Sequence, residues 1–375
     1  MALSKYKLGQ LIKLSEEINE NNVFGISDVR GISIKKEFIE TKADMEGVSL
    51  HPYLLVKSNY FAYVTITSRN GEKISLAYNT SGDTYIVSSS YVVFYVKECE
   101  LLLPEYLFIF FNRPEFDRYS RFNSWGSARE AFSWEEMCEV DIELPPIEVQ
   151  QKYVDIYQGM VKNQQAYERG LEDLKLVCDG YIEDLRRKVP SESIGNYIVQ
   201  SDKRNDEGYD LDALKGISIN KVFIPTKADM EGVSLTNYKL VLPNYFAFVT
   251  VTSRNGEKIS LAYNDSQETY IVSSSYVVFK VLSDKVYAPY LNIFLNRPEF
   301  NRYARYNSWG SAREVFSYDD MCQVKIPIPD IEVQKSIANI FKVYNTRKEI
   351  NEKLKSQIKA ICPILIKGSL DESRV

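Results

Sequence analysis

The sequence contains one histidine and only five cysteines among its 375 residues. The cysteines stand singly, without the Cys-x-x-Cys pairs of a zinc or redox site, and they are too sparse for a disulfide-stabilised fold. We therefore expect no metal site and reduced, mostly buried thiols in a cytoplasmic protein, at Cys99, Cys138, Cys178, Cys322 and Cys362.

Long hydrophobic runs and cofactor motifs are missing as well. No stretch approaches 18 uninterrupted apolar residues, and the N-terminus lacks a charged region followed by an apolar one, so we expect neither secretion nor a membrane span. The sequence has no Asn-Pro-Pro-aromatic signature of amino-methyltransferases, no glycine-rich cofactor loop after a strand and no P-loop. These absences disfavour a methyltransferase and a nucleotide-binding enzyme.

Composition and length indicate a folded protein with more than one domain. Hydrophobic residues make up 45% and charged residues 26% of the chain, which are globular values. A chain of 375 residues exceeds one ordinary compact domain. The net charge of -5 argues mildly against a protein that coats nucleic acid by itself, but it leaves room for a local basic face.

A long internal repeat is the clearest positive feature. Residues 41–50 return unchanged as 226–235, and residues 68–79 return unchanged as 253–264, both with an offset of 185. A period this long excludes a solenoid of small repeats and predicts two whole domains of one fold. Because the identical residues include surface types such as Ser, Arg, Asn and Lys, we infer that the two copies bind the same ligand.

Each copy has the pattern of a mixed domain. Residues 60–67 and 85–96 are rich in β-branched and aromatic residues, which predicts strands, and Asn70-Gly71 predicts a tight turn. Residues 104–113 predict a short helix opened by proline, and a second helical piece follows from Pro114 to about Arg121. The predicted fold class is α+β, with two repeated mixed α/β domains.

A seven-residue hydrophobic repeat follows each copy, after Pro145-Pro146 and after residues 327–329. Each pattern predicts a helix of close to 40 residues, about 60 Å long. We predict that the two helices pair as a coiled coil, with polar residues in the seam that set the register at some cost in stability, namely Gln164, Arg347 and Asn351. Two helices that each pack on their own domain remain the alternative.

The order of these parts resembles the specificity subunit of Type I restriction-modification enzymes, over nearly the whole chain. The segments that carry the resemblance occur in the same order twice, and they are the helix openings Glu148-Val-Gln150 and Glu332-Val-Gln334, the blocks that begin at Leu103 and Arg113, and Gly-Ser-Ala-Arg at Gly126 and Gly310. The corresponding boundaries are 1–147 and 189–330 for the two target-recognition domains, 148–188 and 331–367 for the spacer helices, and 368–375 for a tail.

The resemblance implies a non-catalytic, sequence-specific DNA-binding subunit. In that family each target-recognition domain recognises one half of a split site, the spacer helices pair antiparallel, and two methyltransferase subunits dock, with restriction subunits able to join. S-adenosylmethionine and ATP are then expected on those partner subunits, and no cofactor on this chain.

One departure from the family pattern carries a prediction about the DNA. Family members usually have two unlike recognition domains, whereas the two copies here are nearly the same. An antiparallel helix pair relates its ends by an approximate twofold axis. We therefore expect an inverted repeat of a short half-site, separated by a spacer whose bases are not recognised.

The predicted turn between strands is the first candidate for DNA contact. Arginine can bridge guanine O6 and N7, and asparagine can pair with adenine. The candidates are Ser68, Arg69, Asn70 and Lys73 in the first copy and Ser253, Arg254, Asn255 and Lys258 in the second. An exposed hairpin whose polar residues face only water remains the alternative.

The second candidate is a segment that interleaves cations with aromatic residues and resembles a DNA-facing loop of the family. Its candidate residues are Arg118, Arg121, Asn123, Ser124, Ser127 and Arg129, with Arg302, Arg305, Asn307, Ser308, Ser311 and Arg313 in the second copy. Arg129 and Arg313 either contact DNA or form structural salt bridges. We expect Trp125 and Trp309 to be partly core anchors, with stacking on bases as the alternative. The lysines that could add charge for the DNA backbone, or else be merely solvated, are Lys35, Lys36, Lys42, Lys221 and Lys227.

Other functions are less consistent with the sequence. His51 aligns with Thr236, which excludes a duplicated histidine-dependent site. Glu40-Thr-Lys42 has the Glu-x-Lys shape of many nucleases, but Pro225 replaces the carboxylate in the second copy, which would break a metal site. A DNA-mimicking inhibitor or scaffold should be densely acidic, and 46 basic residues nearly balance 51 acidic ones. A stand-alone DNA-binding protein also remains an alternative.

Overall fold

The computed structural model describes residues 3–41, 43–68, 71, 73–127, 129–226, 230–253, 256, 258–311 and 313–374. The chain divides into two compact units, one formed by Met1–Glu168 with Ile350–Val375 and the other by Arg169–Glu349. Each unit therefore combines one copy of the repeat with a part of both long helices.

In its described residues, the first copy is an α+β domain of ten short strands and three short α-helices. The strands are β1 Ser4–Lys7, β2 Ile12–Ser15, β3 Arg30–Ile32, β4 Phe38–Glu40, β5 Leu54–Val56, β6 Tyr60–Val64, β7 Leu76–Tyr78, β8 Tyr85–Val87, β9 Tyr91–Val96 and β10 Asp141–Leu144. The helices are α1 Pro104–Phe111, α2 Pro114–Phe122 and α3 Trp134–Cys138, and the long helix α4 Ile147–Lys188 follows.

The second copy repeats this order of elements. Its strands are β11 Ser191–Ser193, β12 Ile198–Ser201, β13 Lys215–Ile217, β14 Phe223–Pro225, β15 Lys239–Val241, β16 Tyr245–Val249, β17 Leu261–Tyr263, β18 Tyr270–Val272, β19 Tyr276–Val281 and β20 Lys325–Pro327. Its helices are α5 Ala288–Asn296, α6 Pro298–Tyr306 and α7 Tyr318–Cys322, followed by the long helix α8 Ile331–Glu372. The predicted fold class of two repeated mixed domains and two long helices is confirmed.

A four-stranded antiparallel sheet organises each copy, in the order β2-β9-β6-β7 in the first and β12-β19-β16-β17 in the second. Side chains alternate across the strands, and both faces are buried. Phe61 and Tyr63 of β6 belong to the large core shared with the helices, whereas Ala62 packs with Val56 and Val87 of the small β5-β8 sheet. Alternation of large and small apolar residues along one strand therefore places helices on one face and a second sheet on the other.

One predicted segment needs correction in detail. The single strand expected over residues 85–96 is two strands, β8 and β9, separated by a turn in which the amide of Tyr91 donates to the carbonyl of Ser88 at 3.0 Å. The hydroxyls of Ser88 and Ser90 lie 3.2 Å apart in this turn. Serine side chains that bond locally offer the backbone an alternative to the strand ladder, which accounts for the break. The two helices opened by Pro104 and Pro114 are confirmed.

The long helices α4 and α8 have 42 residues each, about 63 Å at 1.5 Å per residue. Helix α8 continues to Glu372, past residue 367, where we expected it to end. The reason is packing on the first copy. Ser369 is buried and lies 2.7 Å from the hydroxyl of Tyr106, and Leu370 contacts the same core.

The helices pack antiparallel within each unit, as predicted. In the first unit, Lys152 contacts Glu372 at 2.8 Å and Gln164 donates to Asn351 at 3.0 Å, so residue numbers rise along α4 as they fall along α8. In the second unit, Ile182 of α4 shares a core with Ile337 of α8. Gln164 and Asn351 are buried in the seam, whereas Arg347, which we also expected there, is exposed.

The proline-rich helix openings hold each long helix to its own copy through one buried glutamine. Gln150 Nε2 donates to the carbonyls of Leu101 and Pro145 at 2.8 and 2.9 Å, and its Oε1 accepts from the amide of Leu103 at 3.0 Å. Gln334 makes the corresponding three bonds in the second copy. The helices therefore pack both on each other and on their own domains, which combines the two alternatives.

Candidate DNA interface

The structure brings the two predicted DNA-contact segments together at one edge of the first copy. The loop that follows α2 crosses the chain that leaves β6, because the amide of Thr67 donates to the carbonyl of Glu130 at 3.0 Å and the amide of Phe132 donates to Thr65 at 2.8 Å. The predicted turn begins at the next residue, Ser68. We call the two segments, residues 67–75 and 123–131, the edge loops of the first copy.

The second copy has the same arrangement, with edge loops at residues 252–260 and 307–315. The amide of Thr252 donates to Glu314 at 3.0 Å, and the amide of Phe316 donates to Thr250 at 2.9 Å. The duplicated sequence therefore produces the same backbone hydrogen bonds among the described residues of both copies.

A tight hairpin forms the exposed part of the loop after α2. Trp125 and Ala131 exchange two backbone hydrogen bonds of 3.0 Å each. Gly126 has a φ of 141°, and a Cβ atom at this position would lie 2.3 Å from the carbonyl oxygen of Arg129. Only glycine fits, which explains why the Gly-Ser-Ala-Arg block appears in both copies.

Two predicted contact residues in each copy support the loop instead of facing outward. Ser124 is buried, donates to the carbonyl of Ser120 at 2.6 Å and accepts from the Thr67 hydroxyl at 2.9 Å. Ser308 is also buried and donates to Ala304 at 2.6 Å. The amides of the half-buried Asn123 and Asn307 bond to the carbonyls of the preceding helices at 2.9 Å.

The remaining predicted residues divide by exposure. Exposed side chains are Ser68, Lys73, Arg118, Ser127 and Arg129 in the first copy and Ser253, Lys258, Arg302, Ser311 and Arg313 in the second. The base-contact candidates Arg69, Asn70, Arg254 and Asn255 lie outside the described residues, as do Lys42 of the Glu-x-Lys sequence and Lys227.

The arginines of the edge loops differ in their partners. Arg121 pairs with Glu130, and Arg305 pairs with Glu314 in the same way. Arg118 has only a long, exposed contact to Glu115 at 3.5 Å. Within the described residues, neither Arg129 nor its counterpart Arg313 has an ion-pair partner, so their guanidinium groups remain available to phosphates or bases.

The expectation that the tryptophans of these loops are core anchors is wrong. Trp125 is 64% exposed and Trp309 is 68% exposed. The residues three positions earlier, at the ends of α2 and α6, are also aromatic and stand further out, with Phe122 79% and Tyr306 81% exposed. The tight hairpin turns these rings away from the core that begins at Phe132.

Two lysines expected to add charge for the DNA backbone are buried. Lys36 pairs with Asp117 at 2.7 Å and donates to the carbonyl of Phe111, and Lys221 donates to the carbonyl of Leu295. Burial lowers the pKa of Lys36, and it lowers the pKa of Lys221 to about 8. Both residues have a positive φ and tie a hairpin to a helix end, so their role is structural.

A cation on helix α8 was missed by sequence reasoning. Lys359 is exposed, and its ammonium donates to the carbonyl of Lys35 at 3.2 Å. Burial is the main cause that lowers its pKa, the carboxylate of Glu37 opposes this shift, and the positive charges of Lys73 and Lys35 add to it. Helix α8 therefore adds Lys359 to Lys35 and Lys73, and these three lysines form a basic surface beside the edge loops. The sequence signal for Lys359 was only that it lies outside the hydrophobic seam of the helix.

Neither a membrane-spanning helix nor a metal-binding cluster occurs among the described residues. In the part of the chain that the structure describes, no helix is both long and apolar enough to cross a membrane. Among those residues, no three His, Cys, Asp or Glu side chains lie close enough together to hold a metal ion.

Comparison with known proteins identifies the family of the chain. Residues 5–173 and 194–360 each match the family model described as the Type I restriction modification DNA specificity domain. A comparison with curated protein sequences found no match.

Solved structures show the same fold. The crystal structure of the S subunit of a Type I restriction-modification system from M. genitalium is 10% identical, with a TM-score of 0.60 over 98% of this chain and 96% of that one. A structure described under complex assembly and conformational transition of the type I R-M system is 15% identical, with a TM-score of 0.50 over 99% and 97% of the two chains. The chain belongs to the family of Type I restriction-modification specificity subunits.

Proposed function

We propose that this chain is the non-catalytic DNA-specificity subunit of a Type I restriction-modification complex and binds a bipartite site in double-stranded DNA. The observation that carries the proposal is the duplicated edge-loop surface. Each copy presents an exposed arginine without an ion-pair partner among the described residues, Arg129 or Arg313, beside exposed serines and a lysine. These are the side chains that contact base edges and phosphates.

The exposed arginines are suited to contact bases, and the exposed lysines are suited to contact phosphates. Arg129 and Arg313 stand on hairpins that two backbone hydrogen bonds close, and an arginine can bond to guanine through two parallel hydrogen bonds. In the first copy, Lys35, Lys73 and Lys359 form a basic surface that suits phosphate contact, whereas Asn220 takes the place of Lys35 in the second copy. The net charge of -5 is then compatible with DNA binding, because the basic groups are concentrated locally.

The two copies are proposed to recognise equal half-sites in inverted orientation. This rests on the identity of the edge-loop sequences and on the antiparallel packing of α4 and α8 within each unit. The number of base pairs between the half-sites would be set by the length of the long helices. The bases of this spacer would not be recognised.

Partner subunits are proposed to supply the chemistry. Two methyltransferase subunits would bind S-adenosylmethionine, and restriction subunits, where present, would bind ATP. This chain itself would hold no cofactor and work in the cytoplasm.

A DNA-binding assay tests the proposal. The full chain, alone and with its methyltransferase subunit, would be titrated with duplexes that carry the sequence methylated in the source genome. Arg129→Ala together with Arg313→Ala should weaken binding by about 1–3 kcal/mol for each base contact and relax specificity at one position of each half-site. Arg347→Ala removes an equally exposed arginine of α8 and serves as the matched control, with no expected change.

Other outcomes of the same assay would reject the proposal. Metal-dependent cleavage by the chain alone would indicate a nuclease. Competition with DNA for the methyltransferase, without any shift of a duplex, would indicate a DNA mimic. Equal binding of target and scrambled duplexes would contradict sequence specificity.

A further inference from the structure

The exposed aromatic residues of the edge loops are unlike the other aromatic residues of the same domains. Phe94, Phe111, Phe116 and Phe132 pack against one another in the first core and are almost fully buried. Trp125 and Phe122 lie only a few residues away in sequence, yet most of each ring is exposed. Large rings of this kind normally contribute to a core or to an interface.

The structure holds Trp125 rigidly in this exposed position. Two backbone hydrogen bonds to Ala131 fix its main chain, and the preceding residue, Ser124, is anchored by two buried hydroxyl bonds. Gly126 permits the turn that directs the ring away from the core. A ring that is held in place before binding loses little conformational entropy when a ligand covers it.

Charge around the rings favours nucleic acid as the occupant. Residues 118–129 contain three arginines and no acidic residue, and residues 302–313 contain three arginines and no acidic residue as well. Arg118 and Arg129 bracket the first pair of rings, and both are exposed. Aromatic rings between cations match the alternation of bases and phosphates in a DNA strand.

Both copies keep this arrangement, and residues 123–130 around the first tryptophan return unchanged as 307–314 around the second. Tyr306 replaces Phe122 with another aromatic ring, and Trp309 corresponds to Trp125. Exposure agrees between the copies to within a few per cent. The two surfaces therefore have the same chemistry, as expected for two equal half-sites.

We propose that Trp125 with Phe122, and Trp309 with Tyr306, stack on bases of the target and unstack one base step in each half-site. The inference rests on the proposed DNA-binding function and adds a deformation of the duplex to it. Apolar side chains that enter a base step kink the DNA, and the sequence of the kinked step then affects affinity without a hydrogen bond to a base.

The test compares two double variants in the complex of the full chain with its methyltransferase subunit. Affinity for the methylated sequence would be measured by titration, and bending by energy transfer between dyes at the two ends of the duplex. Trp125→Ala with Trp309→Ala should lower affinity by about 5- to 150-fold for each lost base contact and reduce the bend. Trp125→Phe with Trp309→Phe should retain most of both properties.

Control measurements separate stacking from a structural or protein-binding role. Leu282→Ala removes another exposed apolar side chain, 68% exposed and outside the edge loops, and should change neither affinity nor bending. Because the tryptophans are exposed, their replacement should leave the thermal unfolding temperature unchanged.

Three results would overturn the inference. Wild-type affinity and bending in the alanine double variant would reject stacking and leave the proposed function intact. Failure of that variant to co-elute with the methyltransferase would assign the rings to a protein interface. If the wild-type complex prefers no sequence at all, the proposed function fails and the stacking inference fails with it.

Discussion

Lys36 and Lys221 occupy the same position in the two copies but have different electrostatic neighbours. Lys36 pairs with Asp117 at 2.7 Å, whereas the aligned residue in the second copy is Asn301. Among the described residues, Asn301 Oδ1 is buried without a hydrogen-bond partner. A buried cation without a carboxylate is costly, in agreement with the fall of the pKa of Lys221 to about 8.

Replacing Asn301 by the aspartate of the first copy should stabilise the second copy at neutral pH. The new carboxylate would pair with Lys221 and remove an unsatisfied buried acceptor, which is worth about 1–3 kcal/mol. Urea unfolding of Asn301→Asp measures the gain. The matched change Asp117→Asn should destabilise the first copy by about 3–5 kcal/mol, because it leaves Lys36 buried and unpaired. Destabilisation by Asn301→Asp would contradict the account.

Stability of the second copy should rise with pH above about 8. The pKa of Lys221 is about 8 in the fold and 10.5 ordinarily, so the unfolded chain binds more protons between these values and stability increases there with pH. Below pH 8 the cost of burying the cation is present in full. Relative to Lys221→Met, the wild-type free energy of unfolding should gain about 1–2 kcal/mol between pH 7 and pH 9.5. A constant difference would show that burial leaves this lysine unperturbed.

Single residues show the limit of prediction from sequence. The sequence identified the edge loops as exposed polar segments, but it could not tell that Ser124 is turned inward, because serine suits both a water-facing and a loop-supporting position. Trp125 was expected inward because large rings usually are, and the backbone turn at Gly126 reversed that preference. Lys36 looks like any surface lysine until its partner Asp117 is placed 81 residues away in the chain.

At the scale of elements, one glutamine connects each long helix to its domain. Gln150 and Gln334 are fully buried. Each bonds to one carbonyl and one amide of the loop before the first short helix of its copy, and to one carbonyl of the proline-rich helix opening. The Glu-Val-Gln sequence that supported the family resemblance therefore has a structural explanation in its third residue.

Gln150→Leu should destabilise the first copy by about 1–3 kcal/mol, because it leaves the buried carbonyl of Pro145 and two part-buried backbone groups, at Leu101 and Leu103, without their partner. Gln151→Leu provides the matched control, since the neighbouring Gln151 is exposed and bonds only to Asp155 at 2.7 Å. Thermal unfolding of the two variants would be compared. Similar unfolding temperatures would show that water or a local rearrangement replaces the three bonds.

The type of an element was predictable where its hydrophobic repeat extends over many residues. The residues at which elements end were not predictable. Seven-residue periodicity predicted both long helices and their pairing, because the pattern extends over several turns. The continuation of α8 to Glu372 depends on tertiary contacts of Ser369 with the first copy, which no local pattern indicates. The break between β8 and β9 depends on local bonds between Ser88 and Ser90, and serine also occurs within strands.

At the scale of the whole molecule, the central feature is the repetition of one proposed DNA-binding surface in one chain. Each compact unit contains a complete copy, a section of each long helix and the same pair of edge loops. A dimer of identical subunits would present two equal surfaces by symmetry, and this chain provides them by internal duplication. The account therefore depends on equal surfaces recognising equal sequences.

Selection of DNA sites tests this claim most directly. The full chain with its methyltransferase subunit would select duplexes from a random pool, and the enriched sequences would be compared with the sites methylated in the source genome. The account predicts two short half-sites that are inverted copies of each other, separated by a spacer of fixed length without base preference. Two unrelated half-sites, or one continuous motif, would contradict it.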